Sequence, residues 1–144
     1  MSYCVHQESI SIRTPGRSMQ NVSDQIKEVV GRAKIDSGVC LVFVQHTSAS
    51  LILSENADPD VCGDLERFFS DLVPDGDARY LHRDEGPDDM SAHVRSVLTD
   101  SSVQIPVMNG ACALGIWQGV FLWEHRARPH QRNIVVTVSG MRQP

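Results

Sequence analysis

A chain of 144 residues, 41% hydrophobic and 22% charged, suffices for one domain, residues 1–144, and needs no disulfide or metal merely to fold. The formal net charge of −5, with arginines dispersed except around Arg126, Arg128 and Arg132, argues against duplex nucleic acid as a partner. The apolar runs are too short to span a bilayer, and residues 1–6 lack the basic and apolar regions of a secretory signal, so no membrane contact and a cytoplasmic location are expected.

In chain order, residues 8–13 alternate polar and apolar side chains, as a half-buried strand does, and Thr14-Pro15-Gly16 ends them at an expected antiparallel edge or hairpin. Ile26, Val29, Val30 and Ala33 recur at helical spacing behind Ser23, an N-cap residue, predicting a helix over 23–34. Residues 38–44 form a continuous β-rich run, and 49–54 a second short strand. Asp58-Pro59 opens a helix whose buried stripe would be Val61, Leu65, Phe68, Phe69 and Leu72, and Pro74-Asp75-Gly76-Asp77 ends it. An irregular loop follows around His82. A third helix over 90–98, capped by Asp89 or Ser91, would bury Val94, Val97 and Leu98. Three β-rich segments remain at 103–108, 119–124 and 133–138, with Asn109-Gly110 as a turn. This order gives an α+β fold with a mainly antiparallel sheet or sandwich. The four cysteines are scattered without a C-x-x-C pair and read as reduced and mostly buried.

Four constellations carry chemistry. His46-Thr47-Ser48-Ala49-Ser50 sits at a strand end, where His46 could ligate a metal and Thr47 and Ser48 could bond a phosphate, or where hydroxyls merely satisfy a turn. Asp58 and Asp60 suit a helix N-terminus, while Glu55 and Asn56 precede the cap and are free for other work. The run from His82 to His93 holds two imidazoles and four carboxylates around Gly86-Pro87. With His46 these would supply three nitrogens to a zinc site, and Asp84, Glu85, Asp88 and Asp89 could instead hold magnesium. Gly115 to Gly119, around Trp117 and Gln118, could line a heterocycle pocket or form a packed bulge, and Arg126, Arg128 and Arg132 could grip a phosphate. No Gly-x-Ser-x-Gly pattern supports a serine nucleophile at Ser48.

Taken together, residues 45–50, 55–60, 82–93, Ile105-Pro106-Val107 and 114–118 closely resemble the YjbQ-like family of small bacterial and archaeal proteins. The resemblance spans nearly the whole chain. It implies two mainly antiparallel sheets packed as a sandwich with flanking helices, in a homotrimer. It also implies secondary thiamine-phosphate synthase activity, which joins a pyrimidinylmethyl diphosphate to a thiazole phosphate and releases diphosphate. The family's motif histidines fall on His46, His82 and His93, the expected ligands of a divalent metal, zinc or magnesium. Its Glu-Asn/Asp-x-Asp-Pro motif falls on Glu55, Asn56, Asp58 and Asp60, and its Gly-x-Trp-Gln motif on Gly115, Trp117 and Gln118. Ile116 stands where threonine is expected, and Asp89 where many relatives would have asparagine. Glu55, Asn56 and Glu85 are the expected acid–base groups; Thr47, Ser48, Arg83, Trp117, Gln118 and Arg132 would hold a phosphorylated substrate. A metal-dependent hydrolase and a non-catalytic metal- or metabolite-binding trimer are the alternatives.

Overall fold

Apolar residues at every second position build the larger of two sheets. The computed structural model describes residues 1–143. Its elements are β1 (Ser2–Thr14), β2 (Ser18–Asn21), α1 (Ser23–Ala33), β3 (Ser37–Val44), β4 (Ala49–Glu55), α2 (Pro59–Leu72), α3 (Asp89–Leu98), β5 (Ser102–Met108), β6 (Ala111–Cys112), β7 (Gln118–Glu124) and β8 (His130–Arg142). The strands form a five-stranded sheet in the order β1-β8-β3-β5-β6 and a three-stranded sheet in the order β2-β7-β4, with antiparallel pairing throughout. The fold is α+β, as expected. No helix among the described residues is long and apolar enough to cross a membrane.

One core lies between the sheets. Val42 of β3, Ile105 of β5 and Val136 of β8 face Leu51 of β4 and Val120 and Leu122 of β7, with Ile26, Val29 and Val30 of α1 closing one side. β7 is buried on both faces, which explains its unbroken apolar run. Its alternate residue Trp123 turns away from this core and meets Phe69 of α2 edge-on, ring centroids 4.9 Å apart. Strands β3 and β8 of the larger sheet approach closely where they pair Gly38 with Gly140: a Cβ on Gly38 would lie 2.0 Å from the Ser139 carbonyl oxygen, so only glycine fits. Asn109 (φ 51°) and Gly110 (φ 78°) make the tight turn between β5 and β6 that their pairing predicts.

Several expectations change. β1 and β8 run well beyond the predicted 8–13 and 133–138, because each supports the other in one long antiparallel ladder. β2 and β6 are too short to carry a pattern. Ser23 is the first helical residue rather than the cap, and its hydroxyl accepts the Val120 amide at 2.8 Å. Asp58 does cap α2, accepting the Asp60 amide at 2.9 Å. No residue of α2 is fully buried, however, and Phe68 and Leu72 are exposed. α3 reverses its predicted face: Val97 and Leu98 point outward, and Asp89, Ser91, Ala92 and Arg95 point in. The inward stripe at 91, 92 and 95, polar apart from Ala92, follows helical spacing as faithfully as an apolar one would. The cysteines are all free, but only Cys40 is buried.

Candidate metal centre

Asp89 and His93 lie one turn apart at the start of α3, so both side chains share a face. The loop around Gly86 (φ +99°) turns the chain back and brings His82 to the same spot. His82 Nε2 lies 2.7 Å and His93 Nε2 3.1 Å from the same oxygen, Asp89 Oδ2. The three ligand atoms all fall within 4.8 Å of one another, and the imidazole rings meet edge-on with centroids 5.5 Å apart. His93 Nδ1 donates to the Thr47 carbonyl at 3.1 Å.

Arg126 fastens this arrangement. Its Nη1 donates to Asp89 Oδ1 at 2.8 Å, its Nε to Asp88 Oδ2 at 3.0 Å and its Nη2 to the Glu85 carbonyl at 2.8 Å. Asp89 therefore turns one oxygen to the arginine and the other to the imidazoles. Burial alone would raise its carboxyl, but the His82 hydrogen bond and the charges of Arg126 and His93 hold it below the usual carboxylate value. Beside His82 a cleft of about 400 Å³ opens between Tyr80, Arg83, Pro87 and Met90. Arg83 crosses the loop there, donating to the Tyr80 and Ala78 carbonyls.

Of the remaining predicted site residues, Thr47, Arg83 and Glu85 border this group and the others fall elsewhere. His46 does not join the His82–His93 pair; Asp89 is the third member. The His46 Nε2 accepts the Asn133 amide at 2.8 Å, and burial together with the Arg132 charge pushes the ring below the usual imidazole value, so it is neutral with its proton on Nδ1. Arg132 is no solvent-facing phosphate clamp, because it is buried in an ion pair with Glu124 between the sheets. Ser48 accepts from Arg132 with its hydroxyl at 2.9 Å, and Thr47 contributes its carbonyl to His93. Glu85 places its carboxylate 3.7 Å from Arg126.

Glu55, Asn56, Trp117 and Gln118 gather at the far end of β4, a strand that spans about 20 Å from Ala49 to Glu55. Glu55 Oε2 accepts the Ala57 and Asp58 amides, and the Asn56 amide group donates to the Ile116 and Gln118 carbonyls. Gln118 Oε1 accepts the Gly115 amide at 2.8 Å, leaving the Trp117 ring 61% exposed on a pinned turn. A second hollow of about 310 Å³ lies beside Glu55 and Asn56.

The family model described as UPF0047 protein YjbQ-like matches residues 8–141. The chain belongs to this family. A UPF0047 protein of Synechocystis is 57% identical over 94% of this chain and 92% of its own length. The YjbQ protein of Escherichia coli O157:H7 is 38% identical over 94% of this chain and 98% of its own length. Among solved structures, a YjbQ/UPF0047 protein of Clostridium acetobutylicum, described as uncharacterised, is 31% identical and superposes with a TM-score of 0.84, covering 91% of this chain and 98% of its own. A YjbQ-like protein of Sulfolobus solfataricus, described as of unknown function, shares the fold at a TM-score of 0.89 and 23% identity, covering 96% of this chain and 99% of its own. For the UPF0047 fold as a whole, then, the sheets and helices described above are the shared frame.

Sequence reasoning offered Asp89 only as a helix cap or as one of four carboxylates for magnesium, not as the partner of the two histidines, and read Arg126 as a phosphate grip rather than as the anchor of Asp89. An Asp-x-x-x-His step on one helix was the available signal for the first.

Proposed function

We propose that this UPF0047 protein is a metal-dependent enzyme acting on a small phosphorylated metabolite, with the cation held by His82, Asp89 and His93. One observation carries the reading. His93 Nδ1 faces a carbonyl, which only accepts, so it bears the proton; the Nε2 of a neutral ring then turns a lone pair toward Asp89 Oδ2. A cation between them converts that opposition into coordination. Tetrahedral ligands at about 2.0 Å from a metal sit about 3.3 Å apart, close to the spacings found here. Two imidazoles and one carboxylate suit zinc better than magnesium, and the Thr47 carbonyl orients His93 as outer-shell acceptors orient metal-bound histidines.

Such a metal supplies charge to a leaving diphosphate or polarises a water. For the thiamine-phosphate reaction, the thiazole nitrogen attacks the pyrimidinylmethyl carbon, the carbon–oxygen bond breaks and diphosphate leaves with the electron pair. Tyr80 offers an aromatic wall and Arg83 a cation without a carboxylate partner among the described residues in the cleft beside His82. The three-ligand count, which leaves a coordination position for water, favours metal-dependent hydrolysis as the second reading.

The homotrimer is part of the same proposal. Four consecutive cross-strand rows on the outer face of the larger sheet, from Tyr3–Met141–Ser37–Met108 to Ser9–Val135–Phe43–Ser102, carry no charged side chain. Tyr3, Val5, Val39 and Phe43 are exposed there, a surface that a second copy would cover.

Purified protein loaded with zinc and given both thiamine precursors is expected to release diphosphate, and the His82→Ala, His93→Ala double variant to lose that release. Turnover that survives in the double variant would sink the site assignment, and binding without turnover would leave only a non-catalytic metabolite-binding role. Light scattering on the eluting protein is expected to give a mass three times 15.9 kDa; a monomer would rule out the trimer.

A further inference from the structure

Among the described residues, four buried side-chain atoms have no hydrogen-bond partner: Glu66 Oε1, Arg95 Nε, Trp123 Nε1 and His125 Nδ1. All four belong to a single joint, where α2 and α3 meet the face of the smaller sheet that turns away from the core. Arg95 of α3 donates through Nη1 to Glu66 Oε2 of α2 at 2.6 Å. Trp123 meets Phe69 edge-on at 4.9 Å and His125 at a tilt at 5.0 Å. Arg17 ties the edge of the joint, donating to the His125 carbonyl at 2.9 Å and lying 3.9 Å from Glu66 Oε1. Arg95 and Trp123 are each 1% exposed and His125 is wholly buried.

Four buried polar atoms without a partner in one place are costly, because each has given up its bonds to water. Their chemistry is balanced. The Trp123 and Arg95 nitrogens each present an N–H, and Glu66 Oε1 accepts. The His125 Nε2 is 2.8 Å from the Ser50 hydroxyl, so its Nδ1 is either a donor or an acceptor according to the tautomer. Burial, reinforced by the charges of Arg95, Arg17 and Arg132, pushes the His125 pKa down to about 3, so the ring is neutral.

We propose that this joint is a binding site for one internal water molecule, which accepts from Trp123 and Arg95 and donates to Glu66 and His125. Two donors and two acceptors match the valence of water, and buried waters typically make about three such bonds. The assignment requires an unprotonated His125 Nδ1, with Nε2–H donating to Ser50. An Nδ1–H ring would present three donors and select a small anion instead. The water would tie α3, which carries Asp89 and His93, to α2 and the sheet through polar contacts, beside the apolar Phe69–Trp123 contact.

High-resolution diffraction from the wild-type protein is expected to show one non-anomalous density peak within about 3.2 Å of all four atoms. Nitrogen-15 spectra are expected to place the His125 proton on Nε2. Absence of the peak, an anomalous peak from chloride, or an Nδ1–H ring would each overturn the proposal. Trp123→Phe, which removes one donor and retains an aromatic ring, is expected to lower the peak's occupancy, and an unchanged peak would also overturn it. The wild-type measurements stand even if that variant does not fold.

Discussion

Asp89→Asn is expected to weaken zinc binding by at least about 100-fold, since changes to outer-shell partners alone typically cost about 10–100-fold and this one alters a ligand. Asparagine keeps the volume and an oxygen for one partner, but it removes the charge on which both imidazoles and Arg126 converge. Two effects are mixed in that variant. Asp89 is 2% exposed, so its replacement also leaves the Arg126 guanidinium short of a carboxylate. His93→Gln separates them, because it removes a ligand on a partly exposed side chain and leaves the Asp89–Arg126 pair intact. Both variants should lose zinc in calorimetric titration, whereas only Asp89→Asn should lose appreciable thermal stability. Wild-type protein that fails to bind zinc, or variants that bind it unchanged, would dismiss the metal centre and leave the trio as a hydrogen-bonded loop anchor.

The main frame was legible in the sequence because its signals are local. Period-2 alternation in β1, the β-branched run of β3 and the proline-first helix α2 each reflect the residue's own backbone preference and the face it buries. α3 defeated that reasoning: Val94, Val97 and Leu98 look like a core stripe, yet the space beneath the helix is filled by the Arg95–Glu66 pair and the Asp89–Arg126 pair. Nothing in the spacing says which of two amphipathic faces will turn inward when both follow the helical period. The site was half legible for a related reason. His82 and His93 are brought together by a short loop within about a dozen residues, whereas Arg126 reaches them from beyond β7, a pairing no local pattern encodes. His46 stands adjacent in space through Thr47, but the backbone amide of Asn133 claims its Nε2.

Glu124→Gln is expected to cost about 3–5 kcal/mol of folding stability, because it leaves Arg132 charged and unpaired between the two sheets. Arg132 Nε donates to Glu124 Oε1 at 2.8 Å and the Thr14 hydroxyl donates to the same oxygen at 2.7 Å, so the carboxylate joins β7 to both β1 and β8. With a urea dependence of about 1–3 kcal/mol per molar for a domain this size, the midpoint should fall by roughly 2 M. Replacing both partners at once, Glu124→Met with Arg132→Met, should recover much of the loss, since a buried pair exchanged for apolar side chains of similar volume is often close to neutral. The pH dependence has a definite sign. Burial alone would raise the Glu124 carboxyl, but Arg132, Thr14 and the Arg126 amide hold it below the ordinary carboxylate value. The unfolded chain therefore takes up the proton first as pH falls. The stabilisation is whole above about pH 4.3, the value of a free glutamate, and is lost as acid titrates the group through its lower folded value. His125 adds to the same trend over a higher range: its ring ionises freely near 6.5 when unfolded and only at about 3 when folded, so stability declines as pH drops between those values. Wild-type protein should thus lose stability in two overlapping stages on acidification, the Glu124→Met, Arg132→Met variant retaining the upper stage and lacking the Glu124 contribution to the lower one. An acid profile identical in the two proteins would show that the inter-sheet ion pair is not what acid breaks.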